Sequence, residues 1–305
     1  MRINIFLGEA ADLEQSVQQV VQVEQDGFDG AWFGQIFGAD SMTALALAGA
    51  RTKRIELGTA IIPTYLRHPY VLAQQALTVQ VATGGRFTLG IGPSHQPVVE
   101  SMWGLSYDKP ARHIRQYLSV LRPLVHEGRV KTEGDLFRVN ATLNVIGAKP
   151  TPILIAALAP VMLRIAGEMA EGTVTWMTGP KTIESHIAPR ISAAAKASGR
   201  PQPRVVVGLP IAVTDDPASA RERATQAFQI YGQLVNYRRV LDKEGAEGPA
   251  DVAIIGDEAE VERQVRALAS AGATDFLAAE LPVGDDAEAS LARTRALLKG
   301  LVGKV

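Results

Sequence analysis

The segment GIGPSHQ, residues 90 to 96, places His95 directly after an apolar run. An imidazole titrates near neutral pH, so His95 can take up or return a proton there. A histidine at this point can equally serve only to hydrogen-bond a ligand or the backbone. Other chemistry-bearing patterns are sparse. The five histidines are scattered, with no HExxH or other ligand spacing, which gives a metal ion no foothold. The absence of cysteine excludes disulfides, thiolate metal sites and a cysteine nucleophile. GPSHQ narrowly misses the nucleophile elbow G-x-S-x-G, because Gln96 stands where the second glycine belongs. GIG continues into PSH, so no G-x-G-x-x-G forms.

Four other segments also end apolar runs: WFGQIFG, TAIIPT, AALAP and WMTGP. Together with GIGPSHQ they hold no carboxylate pair, which argues against glycoside hydrolysis. Lys181 lies a few residues beyond the place a Schiff-base lysine would take. What remains is small, apolar and aromatic: Trp32, Phe33 and Phe37 on one side, with Trp103, Trp176 and Met177 able to join them. Such a lining suits a large flat heterocycle whose own chemistry does the difficult step. Ordinary core aromatics are the other reading.

These segments need a scaffold that brings them together. Apolar runs alternate with helical patterns along the whole chain. The strand-like runs begin with Ile3 to Leu7 and GFDGAWFGQ. IELGTAIIPT, GGRFTLGIG and TPILIAAL follow, and EGTVTWMTG, PRVVVGLPIAV and GATDFLAAEL complete the set. Helices are predicted from about Asp12, with Gln15 completing a capping box, and from Asp40–Ser41. Pro69 starts a third helix through Thr83, and Pro110 a fourth to His126. Others cover residues 160 to 170, the stretch up to Gly199, and the C-terminus. Eight strand–helix units predict a parallel α/β fold, a closed (β/α)₈ TIM barrel, as one domain over residues 1 to 305. Two insertions lengthen it. After the fourth strand, residues 128 to 149 read as a hairpin turning at Gly134. After the seventh, residues 216 to 256 read as extra helix with a Gly/Pro-rich stretch and make the best lid. Active sites of such barrels lie at the C-terminal ends of the strands, where His95 and its companions fall.

Composition narrows the partners. Hydrophobic residues make up 47% of the chain, enough for a large core, and the formal charge is only −1. No basic run invites nucleic acid, and no apolar stretch reaches the ~20 residues that span a bilayer. The N-terminus, MRINIFLGEAADLEQ, is too soon interrupted for a signal peptide, so a cytoplasmic protein is expected. The Ala- and Leu-rich helical stretches MTALALAGA and VLAQQALTV are apolar on more than one stripe, which predicts a homodimer through them.

Three segments, in order and at barrel spacing, resemble the bacterial luciferase-like superfamily of flavin- and deazaflavin-dependent oxidoreductases. They are IELGTAIIPTYLRHPYVLAQQALTV, GGRFTLGIGPSH and AALAPVMLRIAGEMAEGTVTWMTGP. The similarity covers nearly the whole chain and is nearest to the branch that uses the deazaflavin coenzyme F-420; other branches use FMN. The resemblance implies a (β/α)₈ barrel, commonly dimeric. It implies a cis peptide between Ala60 and Ile61 that backs the cofactor ring, with Thr59 and Ala60 small because the ring lies against them. It implies a phosphate site at the start of the helix after AALAP, from Ala157 and Leu158 to Ala159 and Val161, where free amides and the helix dipole favour an anion. Gln35, Gly92, Ser94, Met177, Thr178 and Gly179 complete the expected cofactor contacts, and His95 is the candidate acid or base.

The sequence departs from its relatives twice. Leu158 and Ala159 replace two glycines common at that loop. Gly34–Gln35 stands where some deazaflavin sugar-phosphate dehydrogenases have an Asp–His pair, and a glutamine cannot take a proton. Arg67 and His68, and likewise Arg164 and Lys181, could meet an acidic cofactor tail or a substrate anion, or simply face solvent. The resemblance implies hydride transfer between reduced F-420 and an organic substrate. An FMN-dependent monooxygenase, a non-catalytic flavin-binding protein and a phosphate-binding isomerase are the alternatives.

Overall fold

The computed structural model describes residues 1–305. Its strands are β1 (Arg2–Glu9), β2 (Gly30–Gly34), β3 (Glu56–Thr59), β4 (Ile62–Pro63), β5 (Phe87–Gly92), β6 (Arg129–Glu133), β7 (Arg138–Thr142), β8 (Ile153–Ala156), β9 (Gly172–Trp176), β10 (Arg204–Val213), β11 (Ile254–Gly256) and β12 (Asp275–Glu280). Parallel pairing runs β1–β2–β3–β5–β8–β9–β10–β12 and returns to β1, closing an eight-stranded barrel. The predicted third strand is observed as two pieces, β3 and β4, with the cis Ala60–Ile61 peptide between them. Both pair with β5, so the barrel wall stays continuous.

The helices follow from capping and periodicity. They are α1 (Leu13–Gln25), α2 (Ser41–Arg51), α3 (Pro69–Ala82), α4 (Pro110–Glu127), α5 (Pro160–Met169), α6 (Pro180–Thr182), α7 (Ala188–Ala197), α8 (Pro217–Gln233), α9 (Val235–Glu244), α10 (Glu258–Ser270) and α11 (Ala287–Leu301). Asp12 caps α1 by accepting from the Gln15 amide at 2.7 Å, which satisfies one of the free amides of a helix start. Pro69 and Pro110 occupy first-turn positions, where a missing N–H costs nothing. A 63-residue apolar cluster fills the space between sheet and helices. A second, small cluster lies inside the barrel: Trp32, Leu154, Val174, Val206 and Leu277, with Phe6, Ala60 and Ile61 packed on it.

Both insertions take the places expected of them. After β5, the hairpin β6–β7 pairs antiparallel, with Glu133 opposite Arg138 and Gly134 in the turn. After β10 come α8 and α9, then β11, which extends the sheet beside Ile211–Val213. The α8–α9 pair is packed and roofs the barrel mouth, its Phe228, Tyr231 and Tyr237 lying on the core. The opposite, N-terminal end is plugged by charge. Arg204 bonds Glu56 at 3.0 Å and Asp275 at 2.6 Å, and Arg2 joins them. Such a partly buried network at that face belongs to architecture. No helix is long and apolar enough to cross a membrane.

Candidate active site

A cavity of about 440 Å³ opens at the C-terminal end of the barrel. Its floor is the upper layer of the inner cluster: Phe6, Ala60, Ile61, Val174 and Leu277. Of the residues singled out in the sequence, Gln35, Ala60, Ile61, Ser94, His95, Ala157, Leu158, Ala159, Val161 and Trp176 line it.

The others lie elsewhere, for identifiable reasons. Thr59 is fully buried in the wall, where its hydroxyl donates to the Gly90 carbonyl and accepts from the Gly90 amide, both at 2.9 Å. Its size reflects a cross-strand bridge, not a ring lying against it. Gly92 is packed between Ile61 and Ala156, each 3.0 Å from where a Cβ would stand. Met177, Thr178 and Gly179 form a turn outside the cavity lining. Met177 is fully buried with φ +51°, and the Thr178 hydroxyl donates to the Trp176 carbonyl. That turn is closed by Glu244 of α9, whose carboxylate accepts from the Lys181 and Thr182 amides at 3.1 and 2.8 Å.

The expected aromatic mouth is also redistributed. Trp32 is fully buried inside the barrel, Phe33 belongs to the outer core, and Phe37 is exposed outside the cavity; only Trp176 of that set lines it. Arg67 is ion-paired to Asp40, His68 caps α3, and Arg164 faces Glu168.

His95 sits between β5 and a five-residue π-helical turn, Val98–Met102. Ser94 before it holds a left-handed backbone, φ +58°, a conformation uncommon outside glycine and frequent at functional sites. The Ser94 carbonyl accepts from the Tyr107 hydroxyl at 3.0 Å, which fixes the turn. Burial pushes the His95 imidazole below its ordinary value and the Tyr107 phenol up to about 12. His95 is therefore a neutral imidazole at pH 7, able to accept a proton at one ring nitrogen. Gln35 lines the cavity while its Oε1 accepts from the Ser41 amide at 2.7 Å, tying the β2 loop to the start of α2.

Helix α5 begins at the rim. Its N-cap, Ala159, offers no side-chain hydrogen bond, so the Val161 and Met162 amides have no capping acceptor. His186 holds the preceding loop: its Nε2–H donates to the Leu158 carbonyl at 2.8 Å.

Sequence reading passed over Phe6, Glu9, Tyr231, Asn236 and Tyr237 of this cavity. Phe6, Trp176, Tyr231, Tyr237 and His95 form a chain of neighbouring rings, with centroids 5.7, 6.0, 5.0 and 5.5 Å apart in turn. Tyr231, Asn236 and Tyr237 come from the α8–α9 junction, far along the chain from the strand ends. Glu9, at the end of β1, is the only carboxylate of the lining, which contains no lysine or arginine. Its Oε1 accepts from the Phe37 amide at 3.0 Å. Burial chiefly, and the Glu9 charge in addition, raise the Tyr231 phenol above its ordinary value, while Trp176 opposes. Glu9 was legible only as the last residue of an eight-residue strand that the apolar run ends two residues early.

The geometry is thus a mostly apolar, ring-walled cavity with one neutral imidazole, one carboxylate and an uncapped helix start. Known proteins resemble this chain in sequence and fold. A 5,10-methylenetetrahydromethanopterin reductase from Methanopyrus kandleri is 27% identical over 92% of this chain and 93% of its own. Another from Methanolobus tindarius is 28% identical over 76% of this chain and 71% of its own. An F-420-dependent secondary alcohol dehydrogenase superposes with a TM-score of 0.80 at 18% identity, over 97% of each chain. The FMN-bound oxygenating constituent of 3,6-diketocamphane monooxygenase from Pseudomonas putida superposes at 0.75 with 17% identity, over 100% and 98% of the two chains. The luciferase-like monooxygenase family pattern matches residues 2–301. Because that pattern covers nearly the full length, the chain belongs to the luciferase-like monooxygenase family.

Proposed function

We propose that this protein is a coenzyme F-420-dependent oxidoreductase that transfers hydride between the reduced deazaflavin and an organic substrate. The observation that carries the reading is the cavity itself: apolar and aromatic, backed by Ala60–Ile61, with one imidazole able to move a proton. The residues fit the coenzyme. Ala60 and Ile61 would back the ring, and Gln35 and Ser94 would meet its edges. The open amides of Val161 and Met162 would hold its phosphate, in a place where Pro160 cannot donate. The bound coenzyme supplies or accepts the hydride. The chain's own work is to exclude water with the α8–α9 roof, to hold the substrate carbon in reach, and to accept or return the substrate proton at His95. Relatives and structural neighbours named for F-420 support this choice over FMN.

The test is a side-by-side fluorescence titration of F-420 and FMN. Tighter binding of F-420 is expected. Tighter binding of FMN transfers the site to the monooxygenase chemistry of other family members. A homodimer through α2 and α3 is part of the same proposal, supported by Leu47, Val71 and Val81, which these helices leave exposed.

A further inference from the structure

The cavity holds a carboxylate that the hydride chemistry above does not use. Glu9 has one hydrogen bond, from the Phe37 amide, and no lysine or arginine of the lining to neutralise it. The same lining carries four neighbouring rings: Phe6 from the strand of Glu9, Trp176 from β9, and Tyr231 and Tyr237 from the roof. Ring faces attract cations, and so does a carboxylate among apolar neighbours; the two act in the same direction. An anion would meet the opposite: Glu9 repels it, and no cationic side chain lines the cavity to receive it. Of the cations that the sequence offered, Arg67 pairs with Asp40 and Arg164 lies 3.8 Å from Glu168, and neither they nor Lys181 line the cavity.

Resting on the hydride-transfer reading of the same cavity, we propose that Glu9 is a specificity-determining residue and that the substrate is a ring compound carrying a positively charged nitrogen. Glu9 pairs with the nitrogen, and the Phe6–Trp176–Tyr231–Tyr237 wall covers the ring. Carboxylate and phosphate substrates are excluded from the ring-walled half of the cavity, while the start of α5 at the rim remains open to the coenzyme's phosphate.

The test is calorimetric titration of the full chain, with and without F-420, using three probes of similar size. They are 1,2,3,4-tetrahydroisoquinoline, a cation at neutral pH; isochroman, its neutral oxygen isostere; and benzoate. The cation is expected to bind at least about tenfold tighter than isochroman, with no detectable binding of benzoate. Glu9→Gln keeps the Oε1 acceptor for the Phe37 amide, so the loop stays tied. It should bring the cation down to the affinity of isochroman and leave isochroman unchanged. Equal binding of cation and isostere overturns the proposal. So does a preference that survives Glu9→Gln, tight binding of benzoate, or no binding by any probe. F-420 binding is read in the same samples from the coenzyme's own fluorescence. Failure of F-420 to bind while the cation preference stands refutes the hydride-transfer reading alone.

Discussion

The imidazole of His95 packs against the ring of Tyr237, centroids 5.5 Å apart and planes at 50°. This contact joins the loop after β5 to helix α9 of the roof. It buries the one imidazole of the cavity and makes the proton-moving group dependent on a lid element for its environment.

His95→Ala should lower the rate of hydride transfer by ~10²–10⁴-fold, the range of general acid–base catalysis, and change coenzyme affinity little. The phosphate amides lie on another loop. Because burial lowers the His95 value, the neutral form persists below the usual imidazole range, and the acidic limb of the rate profile should fall there. Single-turnover rates across pH, beside a coenzyme titration, check both points. Loss of binding with an intact per-site rate would mean that His95 only positions the ligand.

Glu244 anchors α9 by accepting from two amides of the first turn after β9, and Thr182 returns a hydrogen bond to the Val240 carbonyl. Glu244→Ala should cost about 1 kcal/mol, as loss of a helix cap does. It should also speed amide exchange in α9 and raise the substrate KM more than it lowers kcat. Unchanged exchange in α9 would show that the packing of Tyr231 and Tyr237 holds the roof without it.

Thr59 and Gly90 are mutually dependent across the wall. Thr59→Val removes both partners of the Gly90 peptide groups in a buried site, at a cost of about 1–3 kcal/mol. Gly90→Ala drives a Cβ into the Thr59 carbonyl, which is backbone and cannot swing away. A loss of about 1–3 kcal/mol or more is expected. Urea unfolding of the two variants measures this, and wild-type midpoints would remove the bridge from the account of the wall.

Stability should fall as the solution is acidified through the histidine range. Burial lowers His113 to about 4 and depresses His186 and His95. Groups with folded values below their unfolded ones favour the native state above the unfolded value near 6.5. That advantage is lost as pH falls toward the folded value, because the unfolded chain binds the protons first. Urea midpoints at pH 7.5 and pH 5 should differ, and His113→Phe should reduce the difference. A slope unaffected by His113→Phe would assign the effect to other groups.

Light scattering at micromolar concentration should give twice the monomer mass, and Leu47→Glu with Val71→Glu should return it to the monomer. A monomeric wild type would contradict assembly through α2 and α3.

The alternation of strand and helix is written locally, by caps such as Asp12 and Asp40, by prolines at first turns, and by apolar periodicity. Eight such units leave few ways to bury both faces of the strands, so the barrel and its two insertions were legible from the sequence. The place of His95, Gln35, Ala60, Ile61 and the start of α5 in the cavity lining was legible too, because strand ends are ordered by the chain itself. The thinning of β3 was visible, but its cause was not. The register of β2 on β3 sets Trp32 opposite Gly58, where a Cβ would run into the indole, and the register of β3 on β5 sets Thr59 to bridge Gly90. Each register is a property of two paired strands, not of either alone. In the same way Glu9, Tyr231 and Tyr237 meet only when the barrel closes and α8–α9 fold back over it. Sequence determined which elements form and which ends they present. Which side chains share the cavity was decided by strand register and by the packing of the roof, interactions between residues distant in the chain that no local pattern encodes.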